Sequence, residues 1–405
     1  MARVRTLAGI SVFWVGLSML GDGFSALVVP LRAADLANPG SIATVIGLVT
    51  FVGLLAGMLV QPIAGAWSDR LQHRVDRRVQ LFIGALLILA ALGLFLLSST
   101  LLGLLVAFVA LQVALNGAQA VQQSFIPRLV DGAWHGRAAG LKGFADVGGA
   151  FLGFLLLAAV LGSGRVELAV IAVGAVVLAS AVAAIALVRE GTPVVPRAPV
   201  RSGFSQRRAF LHVVVARFLF LLGIFAVGRF FLLLTAERLG LDPSAAAAEA
   251  AGLLALLALA TALAALPGGW LADRIGRPTT MTIGGLLGAF GVILLAGATS
   301  SAQLALFGGL MAVGTGLFTS ANWAMTTDLV PPAEAARWMG LANVGTAGAA
   351  AVAGLFGPLA DLTGSTVTGV VLPAAVVITL SAVVARLLAA EPFAVPAAAV
   401  ERIAT

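Results

Sequence analysis

The chain has no cysteine, no tyrosine, three histidines and a single lysine among its 405 residues. Without cysteine, neither a disulfide framework nor a thiolate metal site can form. His73, His135 and His212 are scattered near the ends of apolar runs, which argues against a His-rich metal centre. Charge is also scarce: 10% of residues are Asp, Glu, Lys or Arg, where a soluble domain carries about 25%. No nucleophile–base set, no GxxxxGK[ST] phosphate loop and no strand-borne dinucleotide fingerprint occurs. An enzyme and a bound cofactor therefore have no support in the sequence.

Apolar residues make up 60% of the chain, and the mean hydropathy is +1.09. Runs of about twenty apolar residues recur along it, each long enough to cross a ~30 Å hydrocarbon core as a helix. Breaks of charge, Pro and Gly divide them into twelve segments, numbered here as spans 1 to 12: 7–31, 42–66, 79–98, 101–126, 138–161, 166–187, 209–236, 245–271, 279–298, 302–327, 337–360 and 367–388. Arg3 and Arg5 before the first run resemble a signal peptide, but that run is too long for one and leads straight into further spans, so an uncleaved first helix is expected.

The longest hydrophilic break, Arg189 to Arg208, is rich in Pro and Arg and separates two groups of six spans. The expected organisation is a six-helix bundle over 1–188, a central cytoplasmic loop over 189–208, a second bundle over 209–390 and a cytoplasmic tail over 391–405. If both termini are cytoplasmic, eighteen of the 24 Lys and Arg fall on that side, three on the other (Arg32, Arg165, Arg238) and three within spans (Lys142, Arg217, Arg229). This asymmetry sets the expected orientation. It also accounts for the net charge of +7 without nucleic acid, leaving the lipid bilayer as the partner.

Two loops nearly repeat each other. Gly65-Ala-Trp-Ser-Asp69-Arg70 follows span 2, and Gly269-Trp-Leu-Ala-Asp273-Arg274-Ile-Gly276-Arg277 follows span 8, with their Asp residues 204 positions apart. A second echo, Arg137-Ala-Ala-Gly140-Leu141 and Arg337-Trp-Met-Gly340-Leu341, lies 200 positions apart. Parallel repeats related by an axis along the membrane normal are one transporter architecture.

Twelve spans, the duplicated Asp-Arg loop and the long central break together resemble the major facilitator superfamily over essentially the whole chain. The resemblance implies an all-α membrane protein of twelve transmembrane helices in two pseudo-symmetric six-helix bundles. It also implies a gating role for Asp69, Arg70, Asp273, Arg274 and Arg277. In the first loop, Asp76 stands where the pattern places Gly before its trailing basic pair, here Arg77-Arg78. Anchoring by the positive-inside rule is the alternative meaning of these arginines.

Charges inside the spans need a partner or a solvated cavity. Asp22 and Arg229 each lie about 12–15 Å below the far surface, at nearly repeat-related positions. They are expected to face each other across the halves as a gate, with Asp22 also a candidate for proton coupling or part of a static ion pair. Lys142 and Asp146 share a helix face at i and i+4; a local ion pair and a proton relay through Asp146 are both open. Arg217 has no acid within a helical turn, which suggests an anionic or hydroxyl-rich ligand, or else bonds to backbone carbonyls or a snorkelling side chain.

Gln112, Asn116, Gln119 and Gln123 form one polar stripe on span 4, and Thr315, Thr319, Asn322 and Thr326 form its counterpart on span 10. They are expected to line a pathway, with interhelical polar glue as the alternative. Trp323 is read as a stacking platform or a packing residue, and Trp14 as packing.

The expected substrate contacts are Gln112, Asn116, Gln119, Arg217, Asn322 and Trp323. The expected function is secondary active transport of a small polar solute by alternating access, coupled to protons, by a monomer in the cell membrane. Gln61-Pro62 and Asp328-Leu-Val-Pro331 add a hint of the sugar–cation symporter branch. Proton-driven efflux of drugs or metabolites is the alternative within transport. A lipid flippase or a non-transporting scaffold or sensor is the alternative outside it.

Overall fold

The computed structural model describes residues 2–71, 74–123, 125, 135–162, 165–188, 207–329 and 335–388. The central loop and the tail expected from the sequence lie almost wholly outside the described residues. Among the described residues, twelve helices are long and apolar enough to cross a membrane: Leu7–Leu36, Pro39–Ser68, Arg77–Leu97, Leu101–Gln123, Leu141–Leu161, Val166–Leu187, Arg207–Arg229, Pro243–Ile275, Arg277–Leu295, Ser301–Leu329, Leu341–Thr363 and Val367–Leu387. They match spans 1 to 12 to within a few residues, apart from span 7.

Packing within the first six spans pairs 2 with 4, 3 with 4, 1 with 5, 1 with 6 and 3 with 6. The second six repeat each pairing: 8 with 10, 9 with 10, 7 with 11, 7 with 12 and 9 with 12. Between the halves, span 2 packs on span 11 and span 5 on span 8, two contacts that exchange under the same relation. The repeat reaches single bonds. Arg32 donates to the Ser98 carbonyl at 2.6 Å, and its counterpart Arg238 donates to the Ala298 carbonyl at 2.7 Å.

Spans 1 and 7 both lose regular α-geometry near their interior charges. Met19–Val28 is a π-helix that carries Asp22. Span 7, expected as one run to 236, stops at Arg229 and resumes as Phe231–Leu239 after Phe230 turns out of helical geometry (φ −102°, ψ 14°). Single π turns in α-helices gather at functional sites. Span 11 is interrupted by a 3-10 turn, Ala353–Phe356, just before Pro358, which has no N–H to continue the α-ladder.

The two Asp-Arg loops turn differently. Gly276, at φ +91° and ψ 147°, ends span 8 and opens span 9 in one step, a conformation essentially reserved for Gly. In the first copy Asp76 keeps φ at −51° and accepts a hydrogen bond from Arg78 N, capping span 3 after a longer turn. The departure noted in the sequence is thus a change of turn chemistry.

One end of the molecule holds most of the arginines and is called here the arginine-rich face; the other is the arginine-poor face. At the arginine-poor face, spans 2 and 11 press together. A Cβ on Gly47 would lie 2.1 Å from the Gly354 carbonyl oxygen, and one on Gly357 would lie 2.1 Å from that of Ala43. Toward the arginine-rich face, three glycines on spans 5 and 8 have open space beside them, although Gly149 and Gly268 next to them are tightly packed. A Cβ on Gly143, Gly148 or Gly269 would meet nothing within 4 Å, and Trp67 and Phe144 are 64% and 77% exposed.

Candidate functional site

Span 1 presents Trp14, Ser18 and Asp22 four residues apart, hence on one face, and span 5 answers with Lys142 and Asp146 at the same spacing. The two rows mesh. The Lys142 ammonium lies 4.1 Å from the centre of the Trp14 ring. It also pairs with Asp146 at 2.9 Å, and the Ser18 hydroxyl donates to the second oxygen of the Asp146 carboxylate. Asp22 comes next along the row. It is exposed, although Leu20 and Gly23 near it in the chain are buried. Asp146, Arg229 and Lys142 all act on it electrostatically. The sequence singled out Asp22, Asp146, Lys142 and Arg229 but not Ser18, and it read Trp14 as packing. Equal spacing of four on both helices was the available signal.

Asp22 and Arg229 share a field without forming a direct ion pair, among the described residues. Arg229 instead donates through Nη1 to the Ser25 carbonyl at 3.5 Å, and Pro30 explains why. In the π-helix each N–H reaches five residues back, as Val29 N does to Phe24 O. The next donor in that register would be Pro30, which has no N–H. The Ser25 carbonyl is therefore left for a donor from the other half. A charge-assisted bond in a poorly solvated site is worth more than a neutral one.

Asp361, on span 11, is a contact that the sequence reading missed. Its Oδ1 accepts from Ala43 N at 3.2 Å and its Oδ2 from Thr44 N at 2.6 Å. These N–H groups open the helix Ile42–Leu71 of the other half. A helix N-terminus carries unsatisfied donors and partial positive charge, so a carboxylate there is stabilising. Nothing local in the sequence marks the partner, because 317 residues separate Asp361 from Thr44.

The polar rows are mostly spoken for. Gln112 is buried with its stem near Gly53 of span 2, and Asn116 lies against Gly57 while donating to the Gln112 backbone carbonyl at 2.9 Å. Gln119 is half-buried. On span 10, Thr315, Thr319 and Thr326 each donate to the carbonyl four residues back, a bond within their own helix. Asn322 is fully buried and donates to Val213 O of span 7 at 3.2 Å. In this conformation both rows act largely as glue within and between helices.

Arg217 is 4% exposed, and its guanidinium lies 4.0 Å above the ring of Trp323, which is 39% exposed. The sequence leaves an anionic or hydroxyl-rich ligand, carbonyl bonds or snorkelling open for this arginine, and stacking on an aromatic face is not among them.

At the second Asp-Arg loop, Arg277 pairs with Asp273 at 3.8 Å and with Asp328, and it donates to Ala324 O at 3.2 Å. Asp328 thereby ties the loop to the end of span 10. Arg274 stacks 4.0 Å over Trp270. At the first loop Arg70 is exposed, and the side chain of Asp69 lies outside the described residues.

Several solved structures share this architecture. A bacterial homologue of the human lysosomal transporter Spinster, in an inward-facing and occupied conformation, superposes with a TM-score of 0.76 at 15% identity, covering 96% of this chain and 97% of that one. The nucleoside transporter NupG gives 0.73 at 13% identity over 95% and 99%. A POT family transporter in complex with 5-aminolevulinic acid gives 0.73 at 13% over 96% and 96%. No curated protein matches the chain in sequence. The sequence profile of the Major Facilitator Superfamily matches residues 11–258 and 213–402, which together cover nearly the whole chain. This multi-pass membrane protein belongs to the major facilitator superfamily, a family of transporters and not of enzymes.

Proposed function

We propose that the chain is a proton-coupled secondary active transporter for a small polar solute. On this reading its two halves rock about a central site, and both termini face the cytoplasm of a cell that carries it in its plasma membrane as a monomer. The observation that carries the reading is the charged ladder of Lys142, Asp146, Ser18 and Asp22 on spans 1 and 5, which ends within the field of Arg229 on span 7. A carboxylate that is accessible inside an apolar bundle, with a second carboxylate and a guanidinium of the other half beside it, can gain and lose a proton and change the attraction between the halves. Asp22 is then the coupling site, Asp146 its relay, and Arg229 the gate that answers to its charge. The loops at the arginine-rich face, with Asp69, Arg70, Asp273, Arg274 and Arg277, hold the opposite gate. The central site draws on Gln112, Asn116, Gln119, Arg217, Asn322 and Trp323. A nucleoside transporter and a transporter in complex with 5-aminolevulinic acid share the fold.

Uptake into proteoliposomes across a panel of sugars, nucleosides and amino acids, with and without a pH gradient, tests this directly. A gradient should drive accumulation of at least one solute, with co-movement of protons. Asp22→Asn should abolish accumulation while leaving solute exchange. Accumulation by Asp22→Asn at the wild-type level removes the proton role from Asp22.

A further inference from the structure

The interior charges do not balance. Lys142 is paired with Asp146, and Asp22 and Arg229 share one field. Arg217 has no carboxylate within ion-pair distance among the described residues. Its Nη1 is buried without a hydrogen-bond partner there. A turn away, Asn322 spends its amide N–H on Val213 O, which orients the amide, and its Oδ1 is left buried and unpartnered. Phe220 and Phe318, stacked at 3.9 Å, close the same helix crossing beneath with apolar surface. A lone guanidinium in such a place is costly to keep. Trp323 offsets part of that cost by cation–π attraction, and Trp323 is itself the exposed side of the pair.

We infer that Arg217, Asn322 and Trp323 form a subsite for a solute carrying one carboxylate. Arg217 receives the anion through its fork of N–H donors, Asn322 Oδ1 accepts from a donor on the same solute, and Trp323 yields the guanidinium as the ligand arrives. This rests on the transport reading and names its substrate class: the bound solute brings the one negative charge that the interior lacks. A neutral sugar would leave that charge uncompensated.

The test is a binding measurement on the purified full-length protein at constant ionic strength. Acetate, lactate, gluconate and benzoate are compared with acetamide, lactamide, gluconamide and benzamide by thermal shift and tryptophan emission. At least one carboxylate should raise the melting temperature and alter emission, and its amide should do neither. Arg217→Gln should weaken that carboxylate by at least about tenfold, since a charge-assisted bidentate contact is lost. The same variant should unfold no earlier than wild type without ligand, because it removes an unpaired buried charge. Arg217→Lys should recover only part of the affinity, lacking the fork. The subsite is overturned if none of the carboxylates acts, if an amide acts as well as its acid, or if Arg217→Gln still responds. Because the readout is binding, it is decided separately from whether a pH gradient drives uptake in liposomes.

Discussion

Asp361 accepts two backbone N–H groups from the opposite half and so ties its own half to the start of a helix in the other. Alanine at this position leaves those donors at the mouth of span 2 without their carboxylate. Bonds of this kind contribute about 1–3 kcal/mol, which moves a two-state equilibrium by roughly 5–150-fold. Because the chain has no cysteine, Ser25→Cys supplies a single reporter at the buried closure beneath Arg229. Asp361→Ala should speed its modification by an impermeant maleimide added at the arginine-poor face by at least about fivefold. Unchanged labelling would mean that Asp361 does not hold the face shut.

Sequence alone singled out Asp22, Arg229 and Arg217, since a charge inside an apolar run stands out without any knowledge of its surroundings. Ser18 and Asp361 stayed hidden for the opposite reason. A serine in a membrane helix and an aspartate near a helix end are ordinary until the facing helix is known. The polar stripes were legible as stripes, but which helix covers them was not. Gly53 and Gly57 of span 2 bring that backbone close enough to bury Gln112 and engage Asn116.

At the scale of elements, turns and caps carry testable consequences. Gly276→Ala places a Cβ in a backbone region that costs about 1–3 kcal/mol for non-glycine residues. It should therefore lower the unfolding midpoint, whereas Gly40→Ala, at an exposed position with open space around its Cβ, should not. An equal drop for both would show that the turn tolerates a side chain. Gly47→Ala drives its methyl into the Gly354 carbonyl. It should keep spans 2 and 11 from meeting and so raise Ser25→Cys labelling much as Asp361→Ala does. Labelling as slow as in the parent would show that this close approach is not required.

Asp242 caps the helix of span 8 through Ala245 N at 2.9 Å and the Ser244 hydroxyl at 2.5 Å. The Ser244 hydroxyl first, then the Ala245 N–H, holds its carboxyl below the usual 3.8. A carboxyl depressed in the folded state contributes stability above its unfolded value and loses it as pH falls through the folded one. The wild-type advantage over Asp242→Ala in unfolding midpoint should accordingly be present at pH 7 and shrink below about pH 4. An advantage that grows with acid would reverse the assignment. The irregular elements were the least legible part of the chain. The π-helix around Asp22 and the break at Phe230 fall within apolar runs that read as continuous helix.

For the whole molecule, the pseudo-two-fold relation was readable because the Asp-Arg loops recur in register, and helix pairings such as 2 with 4 and 8 with 10 follow the same relation. Which face is shut was not readable, because hydropathy fixes where helices run and not how two bundles tilt. In the structure spans 2 and 11 meet at the arginine-poor face, while Gly143, Gly148 and Gly269 of spans 5 and 8 have open space beside them toward the other. On the proposed transport reading, rocking of the two halves would exchange those two conditions, and a two-state element biased by both proton and solute is what coupling requires.

Spin-label distances read this exchange directly in the reconstituted protein. One pair, Gly40→Cys with Leu362→Cys, spans the arginine-poor ends of spans 2 and 11; the other, Trp67→Cys with Leu341→Cys, spans their arginine-rich ends. On shifting pH across the membrane in the presence of a transported solute, the first distance should lengthen as the second shortens. Two distances that stay fixed, or that lengthen together, would contradict alternating access by this chain.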